Sequence, residues 1–364
     1  MQKIRKMPAF CLVMILLISL ACCQWLLPGH EISEMENRVL TQKPEMTFTS
    51  FWSGAYVTEL EKFAADQLPL RDTFVSAFTT MQALLGRRMV NDALIGADGY
   101  LFDTSAAYSD RNIRQNTEAL KGLAASSGKE VWLLPVPSAA AVYAEKLPAY
   151  APIADEEAAL QALAEEMPLI PLLDTMRSQQ DQALFYAMDH HWTAAGARIG
   201  YEAVCKALGL TATPAGEVTS IEGFYGSFYA RYPLPWLKSD TLTYEQTAGL
   251  RLIIEGEERD TLVDENVLQG RDKYAALLHG NFGCIELIND SVSDGTLLII
   301  KDSYANALMP VLARHYRRII AVDPRYFTGN ITELASDYEG EVILCVCGIG
   351  TLAGGRTIAL MEGF

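Results

Sequence analysis

Short unbroken apolar runs alternate with segments of helical periodicity over most of the chain. Apolar runs of this kind are typical of strands that are buried on both faces of a parallel sheet. The predicted strands are residues 131–136, 169–173, 297–300, 319–322 and 342–346. The predicted helices, in which apolar residues recur every three or four positions, are residues 117–125, 156–166, 193–208 and 305–315. This alternation predicts an α/β domain with a parallel sheet flanked by helices.

Two regions depart from the alternation and suggest the domain boundaries. Residues 28–90 are predicted to form a linker and an N-terminal helical region, in which Pro69 interrupts the helical spacing. The main domain is predicted over residues 91–364, and turn signals around Gly96 indicate a β-hairpin at its start. Residues 222–275 contain alternating polar and apolar positions, so we predict a small antiparallel insert there, in a position to cover a site or bind an acceptor.

The first 27 residues have the pattern of a signal-anchor. Lys3, Arg5 and Lys6 precede an apolar stretch over residues 9–27, which is close to the length of a membrane-spanning helix. We therefore expect a single-pass transmembrane segment with its N-terminus inside the cell, which places the chain after about residue 28 on the outer side of the cell membrane. Cleavage of the segment and a buried core helix are the alternatives.

Composition narrows the range of functions. The chain has 364 residues, is 50% hydrophobic and 20% charged, and its 29 basic and 45 acidic residues give a net charge of −16. An excess of negative charge argues against nucleic acid as a partner, because binding to phosphates depends on lysine and arginine. The seven cysteines are scattered and form no metal-binding pattern. We expect no cofactor and no metal.

A serine lies where parallel α/β sheets usually place their chemistry. Ser303 follows the predicted strand 297–300 and precedes the predicted helix 305–315, and ligands bind at the carboxyl ends of parallel strands. Backbone N–H groups at the start of that helix can stabilise an oxyanion. The alternative is that Ser303 only caps the helix.

The segment Asp189-His190-His191 contains the groups that a serine nucleophile requires. A histidine takes the proton of the serine, and a carboxylate orients that histidine. His191 lies two positions after Asp189, so we predict His191 as the base, Asp189 as its orienting partner and His190 as a structural residue. A metal held by the histidine pair, with His279 or Asp302 as a further ligand, is the alternative.

Several motifs in order along the chain resemble the DHHW family and the alginate O-acetylation proteins, whose domain is SGNH-hydrolase-like. The motifs are Glu36-Asn37-Arg38, Asp66-Gln67-Leu68-Pro69-Leu70-Arg71, residues 96–102, 135–137, 146–148 and 189–193, Lys301-Asp302-Ser303-Tyr304 and residues 322–327. The resemblance implies an SGNH-hydrolase-like fold and an Asp–His–Ser triad at Asp189, His191 and Ser303. As in the alginate proteins, and unlike ordinary SGNH hydrolases, the Asp–His pair precedes the serine.

The same resemblance implies a function. The expected reaction is extracytoplasmic acyl transfer through an acyl-serine, with O-acetylation of a cell-envelope or exported polysaccharide. The expected partners are a glycan acceptor and an acyl-supplying membrane protein of the MBOAT type. A carbohydrate acetylesterase and a non-catalytic envelope scaffold are the alternatives.

Six further residues are candidates for binding substrate or the oxyanion. They are Gly280, Asn281, Asn306, Arg325, Tyr304 and Trp192. Gly280 and Asn281 resemble the glycine and asparagine that donate to the oxyanion in SGNH enzymes, although a plain turn is the alternative. Arg325 suits a ligand or a surface ion pair, and Trp192 suits a sugar platform or the core.

Overall fold

The computed structural model describes residues 7–26 and 28–361, which fall into two compact units. The first unit runs to Arg88 and includes Tyr232–Trp236, and the second begins at Met89 and contains the rest of the chain. The first unit is mainly helical. Its elements are α1 (Met7–Leu26), β1 (Ile32–Ser33), β2 (Arg38–Val39), α2 (Phe48–Trp52), α3 (Ala55–Asp66) and α4 (Arg71–Leu84). Pro69 lies in the break between α3 and α4, as its missing N–H requires.

The predicted membrane segment overlaps α1. Its three cationic residues, Lys3, Arg5 and Lys6, lie outside the described residues. Among the residues that the structure does describe, no helix combines the length and the apolar character needed to cross a membrane. The signal-anchor stays a prediction.

Two of the family-like motifs meet in an ion-pair network in the first unit. Arg38 donates from two guanidinium nitrogens to Asp66 at 2.5 and 3.0 Å, and Arg71 donates in the same way to Glu36. The backbone N–H of Thr41 also donates to Asp66, at 2.9 Å. The hydrogen bonds from Arg38 are the main reason why the pKa of Asp66 lies well below its usual value. The network therefore ties the segment around β2 to α3 and α4.

The second unit is built on a seven-stranded mixed sheet with the strand order β10-β9-β11-β13-β12-β14-β6. Its strands are β6 (Glu130–Val136), β9 (Leu250–Ile254), β10 (Glu257–Arg259), β11 (Cys284–Asn289), β12 (Thr296–Lys301), β13 (Arg318–Val322) and β14 (Val342–Gly348). Neighbours from β13 to β6 are parallel, whereas β11, β9 and β10 each pair in antiparallel fashion. The predicted α/β class is therefore confirmed, and the predicted parallel sheet accounts for the β13-β12-β14-β6 half of a sheet that is mixed.

The antiparallel half comes from segments that the apolar pattern did not mark. β11 alternates between half-buried and buried residues and carries Glu286, so it contains no continuous apolar run. The strands β9 and β10 come from the region predicted as an insert, and they extend the main sheet. Their hairpin turn has positive φ at Glu255 and Gly256 (50° and 88°), as a two-residue hairpin requires.

Smaller sheets and helices complete the second unit. The other strands are β3 (Met89–Val90), β4 (Ala93–Ile95), β5 (Leu101–Asp103), β7 (Val218–Phe224) and β8 (Asp240–Glu245). The helices are α5 (Asp110–Ser127), α6 (Ala139–Val142), α7 (Glu156–Glu166), α8 (Leu173–Arg177), α9 (Ala194–Ala207), α10 (Ser227–Arg231), α11 (Ala305–Leu312) and α12 (Ile331–Asp337). The hairpin predicted near Gly96 is formed by β4 and β5.

The strand predicted at residues 169–173 is wrong. Only Leu169 makes a bridge, to Leu133 of β6, and Leu173 already begins α8. Pro168 directly precedes this segment and Pro171 lies within it, and a proline cannot donate the N–H that a ladder needs.

Consecutive residues of β12 belong to two different cores, one on each face of the sheet. Leu297 and Ile299 join the core on the side of α9 and α11. Leu298 and Ile300 join the core on the side of α5, α7 and α12. Burial on both faces explains the unbroken apolar run, and it fixes the strand that ends just before Ser303.

The pH dependence of stability should reveal the Asp66 network. Asp66→Asn removes a carboxylate that accepts charge-assisted bonds, so we expect the free energy of unfolding at pH 7 to fall by about 1–3 kcal/mol. Because the folded-state pKa of Asp66 lies below its usual value of 3.8, its stabilising effect is present above that value and is lost as the pH falls through the folded-state pKa. Urea denaturation between pH 7 and pH 3 should show the wild-type advantage shrinking below about pH 4.

Glu59→Gln is the control, because Glu59 pairs with Lys62 on the surface, where both side chains are about half exposed. This change should alter stability by less than about 1 kcal/mol. An Asp66→Asn variant as stable as wild type at pH 7 would contradict the network's role.

Candidate active site

Ser303 lies in the turn between β12 and α11, and Asp302 holds that turn in place. One oxygen of Asp302 accepts from the backbone N–H of Tyr304 at 3.0 Å. The other accepts from the N–H of Gly348 and the hydroxyl of Thr351, both at 2.8 Å. Asp302 therefore joins the carboxyl ends of the neighbouring strands β12 and β14, and Ser303 faces the space beside them.

The structure brings Asp189, His191 and Ser303 together in one chain of hydrogen bonds. Nδ1 of His191 lies 2.5 Å from Oδ1 of Asp189, and Nε2 of His191 lies 2.7 Å from Oγ of Ser303. The loop before α9 fixes this arrangement, since the side chain of Thr193 caps the helix by accepting from the N–H of Gly196. The geometry suits proton transfer from Ser303 to His191, and the catalytic roles stay a prediction.

Asp189 is buried yet electrostatically stabilised as an anion. Burial by itself would raise the pKa of Asp189, but the two neighbouring imidazoles and hydrogen bonds from His191 and Ser227 lower it well below its usual range. The backbone N–H of Ser227 donates to Oδ2 at 2.7 Å, and that of His191 donates to Oδ1 at 3.0 Å. An ionised Asp189 favours the His191 tautomer with its proton on Nδ1, which leaves Nε2 free to accept from Ser303.

His190 lies beside the same three residues but makes different contacts. Its Nδ1 is 2.9 Å from the hydroxyl of Ser227, and its ring packs 3.8 Å from that of His191, centroid to centroid. Partial burial of the side chain, of which 41% stays exposed, lowers the pKa of His190 to about 4, and repulsion from His191 adds to this effect. His190 is therefore neutral at pH 7 and lines the cavity next to Ser303.

The Asp189-His190-His191 segment is also the one group of possible metal ligands found among the described residues, with one ligand atom of each within 4.8 Å of the others. In this arrangement both nitrogens of His191 and both oxygens of Asp189 already have partners. The side chain of His279 hydrogen-bonds instead to the carbonyl of Thr261 at 3.0 Å. A metal bound to His191 would have to displace the hydrogen bond of its ring to Asp189 or to Ser303.

Three aromatic side chains connect the loop that carries His190 and His191 (the histidine loop) to the turn that carries Ser303 between β12 and α11 (the serine turn). Nε1 of Trp192 donates to the carbonyl of Tyr304 at 3.0 Å, and the hydroxyl of Tyr304 donates to the carbonyl of His190 at 2.6 Å. The hydroxyl of Tyr274 donates to the carbonyl of Ser303 at 3.0 Å. Trp192 is fully buried, so its position fits packing in the core and not a sugar platform.

Ser303 opens onto a cavity of about 290 Å³. Its walls include two cations that are each paired with a carboxylate. Arg231 donates to Asp103 at 3.0 Å, and Arg325 forms a two-pronged pair with the buried Asp323 at 2.6 and 2.9 Å. Arg325 therefore forms an ion pair and also lines the cavity. The sequence had suggested these two roles as alternatives. Tyr304 also lines this cavity.

The other predicted oxyanion residues do not line this cavity. Asn281 and Asn306 use their side-chain oxygens to accept from Nζ of Lys301, at 3.2 and 2.8 Å. Gly280 accepts from the amide of Asn306 through its carbonyl, at 3.2 Å. Lys301 is fully buried, and this burial lowers its pKa to about 8 against the opposing effect of nearby carboxylates. Asn281 and Asn306 therefore hold a buried cation beside Ser303, and Gly280 holds Asn306.

Three residues of the site come from the 222–275 region and were not predicted from the sequence. Ser227 and Tyr274 contact the Asp189–His191–Ser303 chain directly, and Gly226 passes against Asp189. A Cβ added at Gly226 would lie 2.2 Å from Cβ of Asp189, so only glycine fits there. The Tyr225-Gly226-Ser227 sequence carried a weak signal, because Gly-Ser pairs mark ordinary turns just as well.

The mixed sheet with a serine at the end of a parallel strand defines the class of fold, an α/β fold with an SGNH-hydrolase-like domain. Residues 93–246 match the family described as the SGNH hydrolase-like domain of acetyltransferase AlgX. No curated protein sequence matches the chain.

Several solved structures are similar to the chain, among them the following two. A DHHW family protein from Eubacterium siraeum superposes with a TM-score of 0.66 at 19% identity, over 75% of this chain and 95% of that one. Bacillus cereus PatB1, solved with a sulfonyl adduct, gives a TM-score of 0.60 at 19% identity, over 73% of this chain and 97% of its own. The resemblance predicted from the motifs is therefore confirmed, and these structures share the fold.

The close approach at Gly226 provides a test of the site that leaves its reactive groups in place. Gly226→Ala should displace Asp189 and lower the rate of ester cleavage by about 10²-fold, since misplacement by 1 Å costs on that scale. Hydrolysis of p-nitrophenyl acetate by the two proteins measures this effect. Gly122→Ala is the control, because Gly122 lies within α5 and an added Cβ there meets nothing within 4 Å. Equal rates for Gly226→Ala and wild type would rule out the steric constraint.

Proposed function

We propose that the chain is an acyltransferase that works through an acyl-serine intermediate. The observation that carries the proposal is the continuous Asp189–His191–Ser303 hydrogen-bond chain at the edge of a cavity. The match to a family named for an acetyltransferase supports acyl transfer as the reaction class. The acyl group we propose is acetyl, and the acceptor is a hydroxyl of a cell-envelope or exported polysaccharide.

In the first half-reaction, Oγ of Ser303 attacks the carbonyl carbon of an acyl ester while its proton passes to Nε2 of His191. Asp189 stabilises the imidazolium that results. The tetrahedral intermediate collapses, the bond to the donor oxygen breaks, and His191 returns the proton to that oxygen. The products are acyl-Ser303 and the donor alcohol.

In the second half-reaction, His191 removes the proton of an acceptor hydroxyl, and the acceptor oxygen attacks acyl-Ser303. Collapse of the second tetrahedral intermediate returns the proton to Oγ of Ser303 and releases the acylated acceptor. The N–H groups of Tyr304, Ala305 and Asn306 already donate to Asp302 or Ser303, so the backbone N–H of Ser303 is the proposed donor to the oxyanion. One such donor is typically worth about 3–4 kcal/mol. If water replaces the sugar hydroxyl, the same steps describe an acetylesterase.

Substitution of the serine separates the enzyme from a scaffold. Ser303→Ala should abolish both p-nitrophenyl acetate cleavage and covalent labelling by a sulfonyl fluoride, read as a mass increase on the intact protein. Asp189→Asn should retain the fold but lose activity by about 10⁴-fold, because the imidazole adopts the wrong tautomer. Ser336→Ala, on the exposed side of α12, is the matched control and should behave as wild type.

If the folded wild-type protein is neither labelled nor active, the hypothesis of a non-catalytic scaffold replaces that of an enzyme. For an active protein, oligosaccharide acceptors decide between the two reactions. Formation of acetylated oligosaccharide supports transfer, whereas release of acetate alone identifies an esterase.

We also propose that the chain acts on the outer side of the cell membrane, anchored by residues 1–27 and supplied with acyl groups by a membrane protein of the MBOAT type. The support is the cationic start and the apolar stretch that follows it. Full-length protein should float with phosphatidylcholine vesicles in a density gradient, and a fragment that starts at residue 28 should stay at the bottom. Equal sedimentation of both would reject the anchor.

A further inference from the structure

Tyr274 contacts two members of the proposed reactive chain at once. Its ring lies parallel to the imidazole of His191, with 3.6 Å between centroids and 9° between planes. Its hydroxyl donates to the backbone carbonyl of Ser303 at 3.0 Å. It is 2% exposed and belongs to a short 3₁₀ turn over Lys273–Ala276, between β10 and β11.

These two contacts restrict different motions. A ring stacked on one face of His191 opposes tilting of the imidazole about the bond to its Cβ, which Asp189 alone restrains only at Nδ1. The hydrogen bond to the carbonyl of Ser303 limits rotation of the peptide that carries the nucleophile. Burial raises the pKa of Tyr274 well above 10, so its phenol remains a proton donor at every working pH.

We propose that Tyr274 is a positioning residue that sets the plane of His191 and the backbone orientation of Ser303 for the reaction. The inference rests on the proposed acyl-serine function and assigns part of it to the region between β10 and β11. Tyr274 does not line the cavity next to Ser303. Its removal should therefore affect the reaction step and not the binding of substrate.

Two substitutions separate the ring from the hydroxyl. Tyr274→Phe keeps the stacked ring and loses the bond to Ser303, and Tyr274→Met fills a similar volume with neither feature. We expect kcat for p-nitrophenyl acetate to fall by about 10²-fold in Tyr274→Met and by less than about 10-fold in Tyr274→Phe, with KM within about 2-fold of wild type in both. The rate of labelling of Ser303 by a sulfonyl fluoride, which requires no acceptor, should fall in the same order.

Tyr338 provides matched controls, because it contacts the first residue of β12, at the end of the strand away from Ser303. It is also buried, and its hydroxyl donates to the carbonyls of Thr296 and Val342 at 2.8 and 2.7 Å. Tyr338→Phe removes the hydroxyl and its hydrogen bonds, and Tyr338→Met removes the ring as well, but neither makes a change at His191. Their kcat should stay within about 3-fold of wild type even if their thermal stability falls as far as that of the Tyr274 variants.

The outcomes are distinct. A Tyr274→Met variant with wild-type kcat and labelling rate, or one that changes KM alone, overturns the inference while the proposed function stands. A loss in Tyr274→Phe equal to that in Tyr274→Met overturns the role of the ring. If Tyr274→Met does not fold, kcat and the labelling rate are compared between Tyr274→Leu and Tyr274→Phe instead. Wild-type protein without any labelling at Ser303 would overturn the proposed function itself, and the inference with it.

Discussion

The site depends on hydrogen bonds between two loops that lie 112 residues apart in sequence. Trp192, Tyr304 and Tyr274 each donate to a backbone carbonyl in the histidine loop or the serine turn. These three donors are buried, and a buried polar group that loses its partner costs roughly 1–3 kcal/mol. Separation of the loops would therefore leave several such groups unpaired at once. The distance between His191 and Ser303 is maintained by this shared penalty more than by their own hydrogen bond.

The region predicted as an antiparallel insert is an integral part of the fold. It contributes β9 and β10 to the main sheet, and it supplies Gly226, Ser227 and Tyr274 to the surroundings of Asp189 and His191. Such contacts are made to the rear of the reactive groups, away from the cavity. The prediction of an antiparallel excursion is confirmed in part, whereas a role as a lid or acceptor flap stays a prediction.

The sequence predicted those features that local chemistry determines and missed those that depend on distant contacts. Burial on both faces leaves an unbroken apolar run, so the sequence predicted β12, β13 and β14. Adjacent residues in one motif identified Asp189 and His191, and the predicted turn between a strand and a helix identified Ser303, as candidates for one site. The strand β11 was hidden because one of its faces is only half-buried. Gly280 and Asn281 resembled oxyanion residues by type. The contacts of Asn281 and Asn306 to Lys301, and of Gly280 to Asn306, depend on a tertiary arrangement that no spacing reveals.

The alternation of β12 between two cores has a consequence for how this protein tolerates change. Leu298 and Ile300 share a compartment with α5, α7 and α12, and Leu297 and Ile299 share one with α9 and α11. The strand is thus a common wall, and the residue at its end is sensitive to the packing of both compartments. A substitution in either helical layer can therefore shift the position of Ser303, although the mutated side chain does not contact it. In divergent relatives, we then expect the side-chain sizes in the two helical layers to covary across the sheet, so that β12 keeps its position.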